Sequence, residues 1–229
     1  MPTLSWSDYA KRWSKLHGGF DPQTASPFVR GWLFLSYRAS RHLARTGIGP
    51  NTVTVIGLIL SVGVPITGHT WPLVGALLVL VSALADTADG ALAVLTGRDS
   101  RLGYVIDSVA DRLSEACWAL AMLLLGVPVW LAVAAGGLAW LHEYVRARAT
   151  VAGMHDVGTV TVAERPTRII VVVVGLAAAV VTTWAATVAT AIWAVLGLIG
   201  LIQLAVAVRK ALRGADPVGD ELGRQHDER

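Results

Sequence analysis

Two stretches of forty residues, 46–85 and 169–208, contain no Asp, Glu, Lys or Arg. A helix crosses the apolar core of a bilayer in ~20 residues, so each stretch is about two spans long. Each is broken near its middle, the first by Gly68-His69-Thr70-Trp71-Pro72 and the second by Thr182-Thr183-Trp184. Turn residues beside a tryptophan suit a tight bend at a membrane interface, so each stretch reads as a helical hairpin. Charged residues make up 15% of the 229-residue chain, against roughly 25% in a soluble domain. A soluble enzyme and a disordered chain are both excluded on these grounds.

A third hairpin is expected over 103–149, bending at Gly126-Val127-Pro128. The fold class is therefore all-α integral membrane, with six transmembrane helices near 52–68, 73–96, 103–125, 128–149, 167–183 and 187–208. Nineteen basic residues fall before residue 46, at 98–112, at 146–168 and from 209 onward, and none falls in the three bends. The positive-inside preference puts both termini and both polar loops in the cytoplasm, in a multi-pass protein of the inner (cell) membrane. Residues 1–45 are too charged to span. Arg30, Arg38, Arg41 and Arg45 alternate with Phe28, Trp32, Phe34 and Tyr37, the pattern of an N-terminal amphipathic helix lying in the interface. A transmembrane catalytic domain at 46–210 and a disordered tail at 211–229 complete the division. The net charge of +3 gives no reason to expect nucleic acid, and the one cysteine, Cys117, excludes an internal disulfide.

The chemistry lies between residues 86 and 111. Asp86 and Asp89 are three apart at the end of the second span, and Asp107 and Asp111 are four apart at the start of the third. Those spacings put each pair on one helix face, and the short loop between the helices turns both pairs toward one cleft. At ~5 Å and an effective dielectric near 20, each like-charged pair repels by roughly 3 kcal/mol. Arg112 is the one nearby cation in sequence, and its adjacency to Asp111 points it to a different face. Divalent cations or protons must relieve the rest, and all-oxygen ligation favours Mg²⁺ or Mn²⁺. Gly90, Gly97 and Gly103 leave room for a diphosphate against the main chain, and hard cations would neutralise charge on a leaving group.

The pattern D-x2-D-G-x2-A-x9-G-x3-D-x3-D, carried by Asp86, Asp89, Gly90, Ala93, Gly103, Asp107 and Asp111, resembles the signature of the CDP-alcohol phosphotransferases. These are integral membrane enzymes of phospholipid synthesis, and the six-helix layout with an interfacial helix is similar too. The resemblance implies two metal ions on the four aspartates and a CDP-lipid donor, usually CDP-diacylglycerol. It makes Asp111 the base for an acceptor hydroxyl, with CMP leaving. Asp86, Gly90, Ala93, Gly103 and Asp107 would contact the nucleotide, with Ser100 beside them, and a homodimer is implied as well. The family's arginine after the alanine is replaced here by Val94.

A second basic loop holds Arg146 and Arg148, then Glu164, Arg165 and Arg168. Guanidinium groups grip phosphate in bidentate fashion, although Glu143 and Glu164 are present as salt-bridge partners. Tyr144-Val145-Arg146-Ala147-Arg148-Ala149 and Glu164-Arg165-Pro166-Thr167-Arg168 resemble the actinobacterial phosphatidylinositol-phosphate synthase branch. That resemblance implies an alcohol phosphate contacted by Arg146 and Arg168, and Arg165, in the same loop, is a further candidate for gripping it. A third arginine expected beside a glutamine in span six is Leu204, after Gln203. Glycerol 3-phosphate and phosphatidylglycerol are alternative acceptors. A divalent-cation transporter and an inactive family member are the readings from other classes, and His142 beside Glu143 is a weaker candidate for proton transfer.

Overall fold

The computed structural model describes residues 4–16, 20–154, 161–182 and 184–213. Among them are eight helices and no strand: α1 (Trp6–Leu16), α2 (Pro27–Thr46), α3 (Pro50–Gly68), α4 (Pro72–Thr96), α5 (Arg101–Leu124), α6 (Val129–Val151), α7 (Arg165–Ala179) and α8 (Trp184–Arg213). Proline stands in the first turn of α2, α3, α4 and α7, where its missing N–H is not needed and its fixed φ suits a helix. Ser26 and Ser100 cap α2 and α5 by accepting from the backbone N–H groups of Val29 and Gly103. α4 ends on Gly97 at φ 64°, whose N–H returns to the Ala93 carbonyl. That left-handed residue turns the chain into the short loop that joins the two acidic helices.

Helices α3 to α8 coincide, within a few residues, with the six expected spans. By length and composition three of them, α3, α4 and α8, are long and apolar enough to cross a membrane. α7 has only 15 residues, and α5 carries Asp107, Asp111, Arg112 and Glu115. Trp118 and Met122 of α5, Ala135 of α6, Leu176 of α7 and Trp193 of α8 form a core that is at most 1% exposed. The outer faces are the reverse of a soluble protein's. Ile59, Ile66, Leu77, Val133, Val174 and Ile202 are all more than half exposed, so the apolar exterior needs lipid against it. Between such helices cohesion comes from close packing and buried polar contacts.

The N-terminal segment is two helices. α1 sits on α2 through rings, with Tyr9 5.2 Å from Tyr37 and Trp6 5.3 Å from Phe34, and its Tyr9 and Trp13 share one buried cluster with Ala91 and Val94 at the end of α4. The Tyr37 hydroxyl donates to the Leu4 carbonyl at 2.8 Å. α2 is tied to α4 by Trp32 Nε1 donating to Thr87 Oγ1 at 3.0 Å and Ser40 Oγ donating to the Ala88 carbonyl at 2.7 Å. Val94 is 5% exposed within this ring cluster. At the other end of the chain α8 continues to Arg213, and the expected tail from residue 214 lies outside the described residues.

Candidate active site

The acids meet where α4 ends and α5 begins. Asp86, Asp107 and Asp111 each present an oxygen within 4.8 Å of the others. α3 lies close against α4 here because residue 57 is glycine: a Cβ on it would stand 3.3 Å from the Ala85 Cβ. Asp89, expected in the same cluster, is 5% exposed and accepts a hydrogen bond from Thr54 Oγ1 of α3 at 2.5 Å. It borders the trio and lies outside that three-oxygen group. Nothing in the sequence marked Thr54, because its hydroxyl reaches Asp89 only through the α3–α4 packing.

One cation enters from far along the chain. Arg165, in the first turn of α7, makes ion pairs with Asp86 and, at 2.6 Å, with Asp111 Oδ1. Its guanidinium also stands 5.8 Å from the Trp118 ring, a cation–π distance. Asp111 Oδ1 is buried and has no hydrogen bond, so the Arg165 contact is one of charge rather than of aligned donor and acceptor. Arg112, expected to turn away, bends back instead. Its Nη2 lies 3.6 Å from Asp111 and 3.4 Å from Glu115, because a long flexible stem covers the angular offset of one residue.

Below the trio is a second set of charges. Arg168 is 2% exposed and pairs with Glu115, which is wholly buried, and with Glu143 at 2.7 Å. Its Nε donates to the Ala163 carbonyl at 2.7 Å. Arg146 grips Glu164 in bidentate fashion at 3.0 and 2.5 Å. Glu164 also accepts from the Thr161 N–H and hydroxyl, both at 3.0 Å. Burial works to raise the Glu164 pKa, but Arg146 and Thr161 outweigh it and hold the carboxyl below its ordinary value. The turn at 161–164 is seated on α8. A Cβ on Gly200 would lie 2.3 Å from the Ala163 Cβ, and Gln203 Oε1 accepts from the Val162 N–H at 3.0 Å. His142 is buried, with Nε2 3.0 Å from Thr161 Oγ1.

The remaining expected residues fall around the α4–α5 turn. Ser100 is spent as the α5 cap, accepting from the Gly103 N–H at 2.9 Å. A Cβ on Gly103 would come 3.0 Å from Ser100 Oγ. The Ala93 carbonyl receives the Arg98 N–H at 3.0 Å, and Gly90 has the Trp13 ring 4.0 Å from where its Cβ would be. Chemically the site offers three clustered carboxylates with one guanidinium between two of them. That oxygen donor set, with an acid oxygen buried and short of a hydrogen bond, fits a hard divalent cation.

A family profile described as CDP-alcohol phosphatidyltransferase matches residues 48–208. The chain is 32% identical over 137 residues to an archaetidylinositol phosphate synthase of Pyrococcus horikoshii, covering 59% of this chain and 72% of that one. It is 28% identical over 214 residues to a phosphatidylinositol phosphate synthase of Mycolicibacterium smegmatis, covering 83% of this chain and 91% of the relative. Its structure is similar to that of a Mycobacterium tuberculosis phosphatidylinositol phosphate synthase solved with CDP-DAG bound. The TM-score is 0.70 at 25% identity, over 80% of this chain and 98% of that one. The same enzyme solved with manganese and citrate matches at the same TM-score over 93% of its chain.

Proposed function

Because the chain belongs to the CDP-alcohol phosphatidyltransferase family, we propose that it transfers a phosphatidyl-type group from CDP-diacylglycerol, or a like CDP-lipid, to the hydroxyl of a polar alcohol, releasing CMP. The observation that carries this reading is the approach of Asp86, Asp107 and Asp111 to within 4.8 Å. These three, with Asp89 bordering them, would hold Mg²⁺ or Mn²⁺, two ions in all. Bound there, the metal supplies positive charge against the donor's diphosphate and the charge that gathers on the departing phosphate.

The chain's own groups do the rest. Asp111 removes the proton from the acceptor hydroxyl. The alkoxide oxygen bonds to the lipid-side phosphorus, the bond from that phosphorus to the CMP oxygen breaks, and CMP leaves with the electron pair. Gly90, Ala93 and Gly103, with Asp86 and Asp107, border the nucleotide, and Ser100 shapes that border through its cap. Arg146, Arg165 and Arg168 stand on the acceptor's side. The six helices α3–α8 all cross the inner membrane, α2 lies in its cytoplasmic interface, and the termini and site face the cytoplasm. Residues 46–210 act as the catalytic unit, in a homodimer like those the family resemblance implies.

The test is CMP release from CDP-diacylglycerol with Mg²⁺ and a panel of polyols and polyol phosphates as acceptors, by purified protein and its Asp111→Asn variant. We expect release by the wild type and a loss of at least ~10²-fold in the variant, the lower end of a general base's contribution. The variant should elute and melt as the wild type does. Transfer at the wild-type rate by Asp111→Asn would remove Asp111 as the base.

A further inference from the structure

The end of α4 has two faces with different neighbours. Asp86, Gly90, Ala93 and Gly97 recur at intervals of four, three and four and so share one face. The first three border the nucleotide in the reading above. Ala91, Val94 and Leu95 lie on the adjoining face, and Gly90 falls at the seam between the two. One turn earlier α4 is fastened by the hydrogen bonds from α2 to Thr87 and Ala88. From residue 90 onward that side of α4 is held by a cluster of rings.

α1 supplies much of the cluster. Tyr9 and Trp13 are buried together with Leu33 and Tyr37 of α2 and with Ala91 and Val94 of α4, and Trp6 and Leu95 pack at the edge. Trp13 reaches furthest toward the site. Its ring stands 4.0 Å from where a Cβ on Gly90 would be, an ordinary contact distance. Gly90 is half-buried, so the ring lines one flank of it and leaves the other open. The glycine has no side chain with which to fix its own place, and its neighbours at 91 and 94 sit in the same cluster as that ring.

The way α1 faces is fixed as well. Tyr9, Ala10 and Trp13 are turned inward, while Lys11, Arg12 and Lys15 are exposed. The Tyr37 hydroxyl holds the Leu4 carbonyl just before the first turn of α1. The acid cluster does not need this helix, since its oxygens come from Asp86 of α4 and from Asp107 and Asp111 of α5. α1 also precedes residues 48–208, the part that the family profile matches, so the family likeness gives it no role.

We propose that α1 is part of the donor site, with Trp13 a positioning residue that holds Gly90 and the turn after it against the CDP group of the donor lipid. The ring acts through the main chain of α4. It fills one flank of Gly90, so that residues 90–93 keep the path along which the nucleotide meets them. This rests on the transfer reaction proposed above and on the place given there to the nucleotide, and adds a residue from outside the six-helix unit. Its signature is a loss of donor affinity with the chemical step kept.

The experiment measures CMP release against CDP-diacylglycerol concentration, with Mg²⁺ and a saturating acceptor, for the wild type, Trp13→Ala, Trp13→Phe and Tyr37→Phe. Binding of free CDP with Mg²⁺ is titrated alongside. We expect Trp13→Ala to raise KM for the donor by about three- to tenfold, the order of one lost aromatic contact. It should leave kcat unchanged and weaken CDP binding by the same factor. Trp13→Phe, which keeps a ring in place, should restore most of the affinity. Tyr37→Phe unties Leu4 while keeping every ring, and should raise KM by about twofold, the low end of one hydrogen bond. An unchanged KM in Trp13→Ala, or a fall in kcat alone, would make α1 a packing element only and overturn the inference. Should Trp13→Ala not elute as the wild type does, Tyr37→Phe decides, and an unchanged KM there overturns it too. Wild-type protein that binds CDP yet releases no CMP with any acceptor would sink the transfer reaction, and the CDP affinity of Trp13→Ala would still decide this inference. A wild type that does not bind CDP would sink both.

Discussion

Replacing Glu115 by glutamine removes one charge from a site with almost no solvent and changes the side chain's volume very little. Glu115 is 0% and Arg168 2% exposed, so the guanidinium cannot turn to water when its partner is neutralised. Breaking a buried ion pair by removing one member costs about 3–5 kcal/mol. Glu143 still holds Arg168 at 2.7 Å and the Ala163 carbonyl still accepts from its Nε, so the lower end of that range applies. In a chain of this length each kilocalorie shifts the melting temperature by ~2–4 °C, giving a fall of roughly 6–12 °C for Glu115→Gln. The assay is loss of the monodisperse peak on size exclusion after heating in detergent, with both proteins heated at one rate. Glu115→Gln combined with Arg168→Gln leaves neither charge stranded and should melt above Glu115→Gln alone. A shift within the assay's scatter for Glu115→Gln, or a double variant that melts below it, would refute the claim that this pair is buried and mutually dependent.

Two further perturbations address the acids and their roof. Arg165→Ala takes away the cation that now sits between Asp86 and Asp111, so Mn²⁺ titrated into the protein without any lipid should bind about tenfold more tightly; unchanged or weaker binding would show that Arg165 does not compete with metal. Val94→Arg forces a charge into the rings of Tyr9, Trp13 and Tyr37, and should loosen α1, seen as faster trypsin cleavage after Lys11, Arg12 and Lys15. Cleavage at the wild-type rate would mean that α1 does not rest on that position.

The parts of this molecule that depend on local spacing were legible before any coordinates. Charge-free runs of forty residues, one broken by Gly, Trp and Pro and the other by Thr-Thr-Trp, located α3, α4, α7 and α8, and intervals of three and four residues brought Asp86, Asp107 and Asp111 together. Asp89 was legible as a neighbour but not as a partner of Thr54, since that bond depends on how α3 lies against α4. Arg165 and Arg168 were seen as basic residues at the start of one helix, three apart. Their division between two carboxylate sets is tertiary, fixed by how α7 lies against α4 and α8 so that Arg165 reaches Asp86 and Asp111 while Arg168 reaches Glu115 and Glu143, and no interval along the chain encodes it. The split of the N-terminal segment had a signal that went unread: Gly18, Gly19 and Pro22 stand between its two helices, and such residues punctuate helices.

The position of Arg165 bears on how the protein comes to be made. A pocket of bare acids would have to wait for its metal before the surrounding helices could close on it, as small metal-dependent domains do. Here a side chain from α7 supplies an internal counter-ion, so the repulsion among the acids is relieved by the chain itself and closure of the helices around them does not have to wait for metal.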